Sequence, residues 1–189
     1  MPNKHKNRRA ANQAAPAVAF PSDELRPTVV VVGGGASGIA AACALSACAH
    51  NLRRDVRVVI LEKGCRLGSS ILRSGNGRCN FSHEDIDPES FNHPEFVFST
   101  FKALESAFAT SSFAFCDDAP KVTHDNAVLK WFAHLGLVWR EAPLSGGALY
   151  PFSNKATSVL EVLQAELDRY AVEQYCNIVV GGISRCCDR

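Results

Sequence analysis

Gly33, Gly35 and Gly38 follow the order Gly-x-Gly-x-x-Gly within the stretch GGGASG, and a carboxylate, Glu62, stands twenty-four residues beyond the last of them. Each glycine has its own physical reason. The first permits a tight turn, the second lets backbone approach a pyrophosphate with no Cβ in the way, and the third lets a helix press on a strand. An acidic residue at about that distance, ending a second strand, is where a dinucleotide fold accepts the hydroxyls of the adenosine ribose. A second stretch, RSGNGRCN from Arg73 to Asn80, brings two glycines, two arginines, two asparagines and a cysteine together in eight residues. Gly75 and Gly77 allow backbone amides to face an anion or a ring, and Arg78 supplies a fixed positive fork. The stretch is not a Walker loop, because the Gly-Lys-Ser/Thr ending is missing.

These residues need elements to hold them. Thr28 to Val32, TVVVV, is a β-branched run expected to form a strand buried on both faces of a parallel sheet. A helix beginning near Ala36 and ending before Asn51 would aim its free N–H groups and positive dipole end at the phosphate. Val56 to Leu61 reads as the second strand, so Glu62 falls at its end. An arginine there would have indicated a 2′-phosphate; the acid indicates FAD or NAD rather than NADP. RSGNGRCN then lies just beyond the second strand, on the side of the sheet where ligands bind, outside the carboxyl ends of the strands.

Farther along, residues 94–110 and 124–135 show helical spacing, with Gly136 ending the second helix. Phe96, Phe101, Leu104 and Phe108 make one apolar face, read as core packing rather than an aromatic cofactor box. LVWRE and ALYPF, flanking Ser145, Gly146 and Gly147, read as a hairpin. Ser153 or Asn154 would cap a helix running to about Tyr170, with Leu160, Leu163 and Leu167 on its buried stripe, and Asn177 to Val180 would be the third parallel strand. The expected fold is therefore α/β: a Rossmann-like domain over residues 28–189 with a helical and β-hairpin insertion.

Composition narrows the function further. The formal net charge is +1, which provides no general electrostatic footprint for nucleic acid. No run of about eighteen apolar residues exists to span a membrane. The opening segment carries Lys4, Lys6, Arg8 and Arg9, then Ala/Pro-rich residues broken by Asn12, Gln13 and Pro16. It is too polar for the apolar region of an export signal, twin-arginine type included, and reads as a disordered basic tail over residues 1–27. The eight cysteines form no C-x-x-C pair and no His pair stands at zinc spacing, so no metal is expected. They read as reduced thiols in a cytoplasmic setting, and Cys79, beside Arg78, as a buried thiol. His83, His93, His124 and His134 have no partner at usable spacing, so no catalytic acid or base is assigned.

Three segments, VVVVGGGASGIAAACAL, VVILEKGCRLGSSILRSGNGRCNFS and LYPFSNKATSVLEVLQAEL, resemble in that order the BaiN/RdsA-type flavoproteins, also described as aminoacetone-oxidase-like FAD-binding enzymes. In that family an S-G-x-G-R-C-N segment follows the ribose-binding acid and an F-P-x-S-x-K-A segment opens a later helix. The resemblance implies non-covalent FAD, a two-dinucleotide-binding-domain architecture, NAD(P)H as electron donor and a small-molecule substrate. It implies that Gly33, Gly35, Ala36, Ser37, Gly38, Glu62 and Lys63 hold the ADP half. Gly75, Gly77, Arg78, Cys79 and Asn80 would lie by the pyrophosphate and flavin end. Ser69 and Ser70 stand where relatives usually carry basic residues, and relatives run to about twice this length. The domain would then be incomplete relative to the family, with a second chain able to carry the remainder. The expected function is an FAD-dependent oxidoreductase passing hydride between NAD(P)H, flavin and a small organic substrate. The alternatives are a truncated, non-catalytic dinucleotide-binding module and an NAD-dependent dehydrogenase domain.

Overall fold

A computed structural model describes residues 26–110, 126–143 and 146–185. The expected basic tail, His124, Ser145, Cys116, Cys186 and Cys187 lie outside the described residues, as does the side chain of Phe108. The elements are, in chain order, β1 (Thr28–Val32), α1 (Ala36–Asn51), β2 (Arg57–Leu61), α2 (Ser69–Arg73), β3 (Ser82–His83), α3 (Pro94–Thr110), α4 (Ala127–His134), β4 (Trp139–Glu141), β5 (Ala148–Pro151), α5 (Ala156–Arg169) and β6 (Glu173–Tyr175).

The larger sheet is parallel, in the order β1-β2-β6, with Val30 opposite Val59 and Val59 opposite Glu173. Small residues on α1 let it lie close on β2: Ile39, Ala42 and Cys43 share a core with Val58 and Ile60, to which α5 adds Leu163 and Leu167. The third strand is Glu173–Tyr175 and not the expected Asn177–Val180. Its register is pinned by a bidentate ion pair, Arg57 Nε and Nη2 donating to the two Glu173 carboxylate oxygens at 2.6 Å each, with Tyr175 Oη donating to Glu173 at 2.8 Å. Asn177, at φ 60°, then turns the chain out of the ladder, and the amides of Asn177 and Ile178 donate to Gly64 and Glu62 carbonyls across the end of β2.

The expectation that TVVVV is buried on both faces fails. Val29, Val30 and Val32 are 38, 41 and 55% exposed, because β1 has a strand partner on one side alone among the described residues.

A second, antiparallel sheet runs β3-β5-β4. Its β4–β5 hairpin turns through Gly146 and Gly147, both at positive φ, and β3 adds an edge that the sequence pattern did not reveal. The side chain of Asn126 caps α4, its Oδ1 accepting from the Val128 and Leu129 amides, so this helix begins at Ala127 and not at 124. At α5 neither Ser153 nor Asn154 is the cap residue. Asn154 sits at φ 58° in the preceding turn, Ser153 Oγ accepts from the Lys155 amide, and Lys155 takes the cap position. The apolar face of α3 is not core either: Phe96 is 71% and Leu104 39% exposed, because the helix stands across an open cavity instead of against a packed layer. Among the described residues no helix is long and apolar enough to cross a membrane, and no cluster of three or more His, Cys, Asp or Glu could hold a metal.

Candidate functional site

β1 runs into a glycine turn whose four glycines answer to different demands. Gly33 adopts φ +103°, the left-handed region, while its amide donates to the Leu61 carbonyl at 2.8 Å. A Cβ on Gly34 would stand 2.7 Å from Leu67 Cγ, and one on Gly38 would run into the Gly33 carbonyl oxygen. Both positions are closed by the protein's own packing. Gly35 differs. Its φ of −78° and ψ of −176° suit any residue, and the nearest atom to a Cβ there is Ser70 Oγ at 3.6 Å. Nothing in the folded chain requires glycine at 35, so the space it leaves is free for a ligand. α1 follows with no side-chain cap and no acidic residue in its first turn, and Ala36 and Ser37 are exposed there. Its leading N–H groups therefore remain available to an anion.

Glu62 closes the opposite side. The Gly64 amide donates to its Oε1 at 2.7 Å and the Gly34 amide to its Oε2 at 2.6 Å, and these two bonds hold the carboxyl below the ordinary carboxylate range. Each oxygen keeps lone-pair capacity for a hydroxyl, so the same carboxylate can brace the turn and accept a ribose. Lys63 is exposed, and its charge adds to the lowering. The Gly68 amide donates to the Gly34 carbonyl at 2.7 Å, which docks the start of α2 on the turn.

RSGNGRCN begins at the end of α2 and passes through a single tight helical turn, Ser74–Gly77, in which Gly75 and Asn76 have φ of 55° and 56°. Gly77 and Cys79 follow at 78° and 59°. Backbone held in the left-handed region at two non-glycine positions costs about 1 kcal/mol or more each and persists only where surroundings enforce it. β5 does the enforcing. With its amide nitrogen turned toward the sheet, Asn80 donates to the Leu149 carbonyl at 3.1 Å and the Ser82 carbonyl at 2.7 Å. The Phe81 amide donates to Leu149 as well. Arg78 lays its guanidinium 4.8 Å from the Tyr150 ring centre and donates through Nε to the Gly75 carbonyl at 3.3 Å. Cys79 is buried, and burial pushes its thiol pKa up, so it is held as a thiol.

The fold thus gathers Gly33, Gly35, Gly38 and Glu62 into one cluster. It holds Gly75, Gly77, Arg78, Cys79 and Asn80 in a second cluster against β5, with α2 joining the two and Ser70 facing Gly35.

A family model for the HI0933-like protein Rossmann domain matches residues 27–188. The chain belongs to this family. The HI0933-like proteins are Rossmann-fold flavoprotein oxidoreductases, and the β1-α1-β2 unit described above lies within the matched residues. The chain is 36% identical over 152 residues to a 3-dehydro-bile acid delta(4,6)-reductase of Clostridium scindens, covering 79% of this chain and 31% of the relative. It is 23% identical over 158 residues to a ribosomal RNA dihydrouridine synthase of Haemophilus influenzae, covering 82% of this chain and 32% of the relative. The chain therefore spans under a third of the length of either, a smaller share than the half expected from its motifs.

Three residues at this HI0933-like site escaped the sequence reading. Gly34 and Gly64 orient Glu62 through backbone amides; the run of three glycines was the one available signal. Tyr150 gave none, since it meets Arg78 only because β5 folds back onto the loop.

Proposed function

We propose that this chain is the FAD-binding portion of an HI0933-like reductase, with Gly35, the first turn of α1 and Glu62 receiving the ADP half and the Arg78 loop standing toward the flavin. The observation that carries the reading is the open space at Gly35, beside neighbouring glycines that the protein's own packing fills. Bound there, the cofactor would supply hydride chemistry, drawing on NAD(P)H and acting on a small organic molecule. The likeness to a reductase of 3-dehydro-bile acids supports such a substrate. The five described cysteines are free, which supports a cytoplasmic setting.

The order β6-β2-β1 corresponds to the 3-2-1 half of a doubly wound dinucleotide fold, whose further strands join at the outer edge of the first. The exposed valines of β1 lie along that edge, so we place the remaining polypeptide of the family's length there, whether in the same chain or in a partner. Titration of FAD and of NAD into the purified chain tests the reading. FAD should bind more tightly than NAD, and Gly35→Val should abolish FAD binding while leaving helix content by circular dichroism unchanged. Colourless protein that prefers NAD would assign it to a dehydrogenase domain instead.

A further inference from the structure

Ser69 and Ser70 open α2, and Ser74 stands at its end. The three hydroxyls are not used alike. Ser69 Oγ donates to the Arg66 carbonyl at 3.3 Å and Ser74 Oγ to the Ile71 carbonyl at 2.7 Å, so both of these protons are taken up by nearby backbone. Ser70 is exposed, and among the described residues its Oγ has no hydrogen-bond partner. Its proton is left for a ligand. The position of that hydroxyl is fixed from both sides. Leu67 and Ile71 are buried in the main core, the Gly68 amide donates to the Gly34 carbonyl at 2.7 Å, and Leu67 packs on Gly34, so α2 and the glycine turn are held as one body. Ser70 Oγ is thereby the nearest atom to the empty side-chain position of Gly35, 3.6 Å from where a Cβ would stand.

We infer that Ser70 donates its hydroxyl proton to the pyrophosphate of the bound dinucleotide and so holds the phosphate in the space left by Gly35; the assignment rests on the function proposed above. A hydroxyl meets an oxygen acceptor at about 2.7 Å, so a phosphate oxygen seated in that space falls within its reach. The acceptor is charged, which makes such a bond shorter and stronger than one between neutral groups. A nucleoside carries no phosphate oxygen to accept there. The contact therefore distinguishes diphosphates from nucleosides, a distinction that the Glu62 carboxylate, turned to the ribose, does not make.

Titration of ADP and of adenosine against the purified chain and its variants, read by ligand-observed NMR so that weak binding is measurable, tests the inference. Ser70→Ala should weaken ADP by about tenfold, the worth of one hydrogen bond to a charged acceptor, and leave adenosine within about twofold. Ser70→Asp sets a carboxylate against the phosphate and should weaken ADP by at least about a hundredfold, again sparing adenosine. Ser69→Ala removes a hydroxyl already engaged by the Arg66 carbonyl and should leave both ligands unchanged. Both serines can be replaced without disturbing the core, since neither is buried. Wild-type ADP affinity in Ser70→Ala, or equal losses of ADP and adenosine, would overturn the assignment. A wild-type chain that binds neither ADP nor FAD would sink the cofactor reading together with this contact, whereas ADP bound equally by wild type and Ser70→Ala would sink the contact alone.

Discussion

β1 and β2 are nearly interchangeable in composition, TVVVV against RVVIL, and lie side by side in one sheet, yet they have opposite fates. Val58, Val59 and Ile60 are at most 5% exposed, whereas three of the four β1 valines are 38 to 55% exposed. β2 is paired on both sides and covered by α1; among the described residues β1 is paired on one side. Burial is therefore a property of a strand's place in the sheet. The apolar character of β1 is in excess of what its present neighbours use, as expected of a strand built to sit between two others.

Substitutions can break this comparison. The largest effect should come from Gly38→Ala. Its methyl would collide with the Gly33 carbonyl and crowd Val31, the half-buried residue by which β1 is held, so the loss should exceed about 4 kcal/mol and leave little folded protein by circular dichroism. Ile60→Ala, at the centre of β2, should cost about 3 kcal/mol in urea unfolding, whereas Val32→Ala on β1 should cost less than about 0.5 kcal/mol. Equal costs would mean that β1 is covered after all. At the ends of both strands, Glu62→Ala removes the tie between Gly34 and Gly64 and should weaken FAD by about 1.5–3 kcal/mol by titration.

The smallest effect concerns the far side of β2. The Arg57 guanidinium, with help from the Tyr175 hydroxyl, holds the Glu173 carboxyl down at about 2, below its ordinary value of 4.5. A depressed carboxylate contributes stability above its unfolded value and loses that contribution as pH falls through the interval from about 4.5 to about 2. Glu173→Gln should flatten that part of the stability profile. An unchanged acid limb in this variant would show that the ion pair does not pin β6.

Much of this architecture could be read from the sequence because local chemistry dictated it. The glycine turn, α1 and β2 are each specified by residue type and spacing within a short stretch, and Gly136 and the β4–β5 turn are marked by glycines at positive φ. The misreadings share one cause: they depended on distant partners. Glu173 rather than Asn177 enters the sheet because Arg57, far back in the chain, pairs with it. Phe96 shows helical periodicity whether or not anything packs on it. The Arg78 loop was recognisable from its glycines, but its anchoring by Leu149 and Tyr150 required β5 to return to it.

We propose that the Gly35–Glu62 cluster receives the adenosine diphosphate half of FAD. Competition against bound FAD, followed by flavin fluorescence in the purified chain, tests it most directly. ADP should displace FAD and FMN should not, because in the proposed reading the open space at Gly35, the leading amides of α1 and the Glu62 carboxylate would all serve the adenosine end. Displacement by FMN but not by ADP would contradict the claim and move the cofactor's anchor to the loop around Arg78.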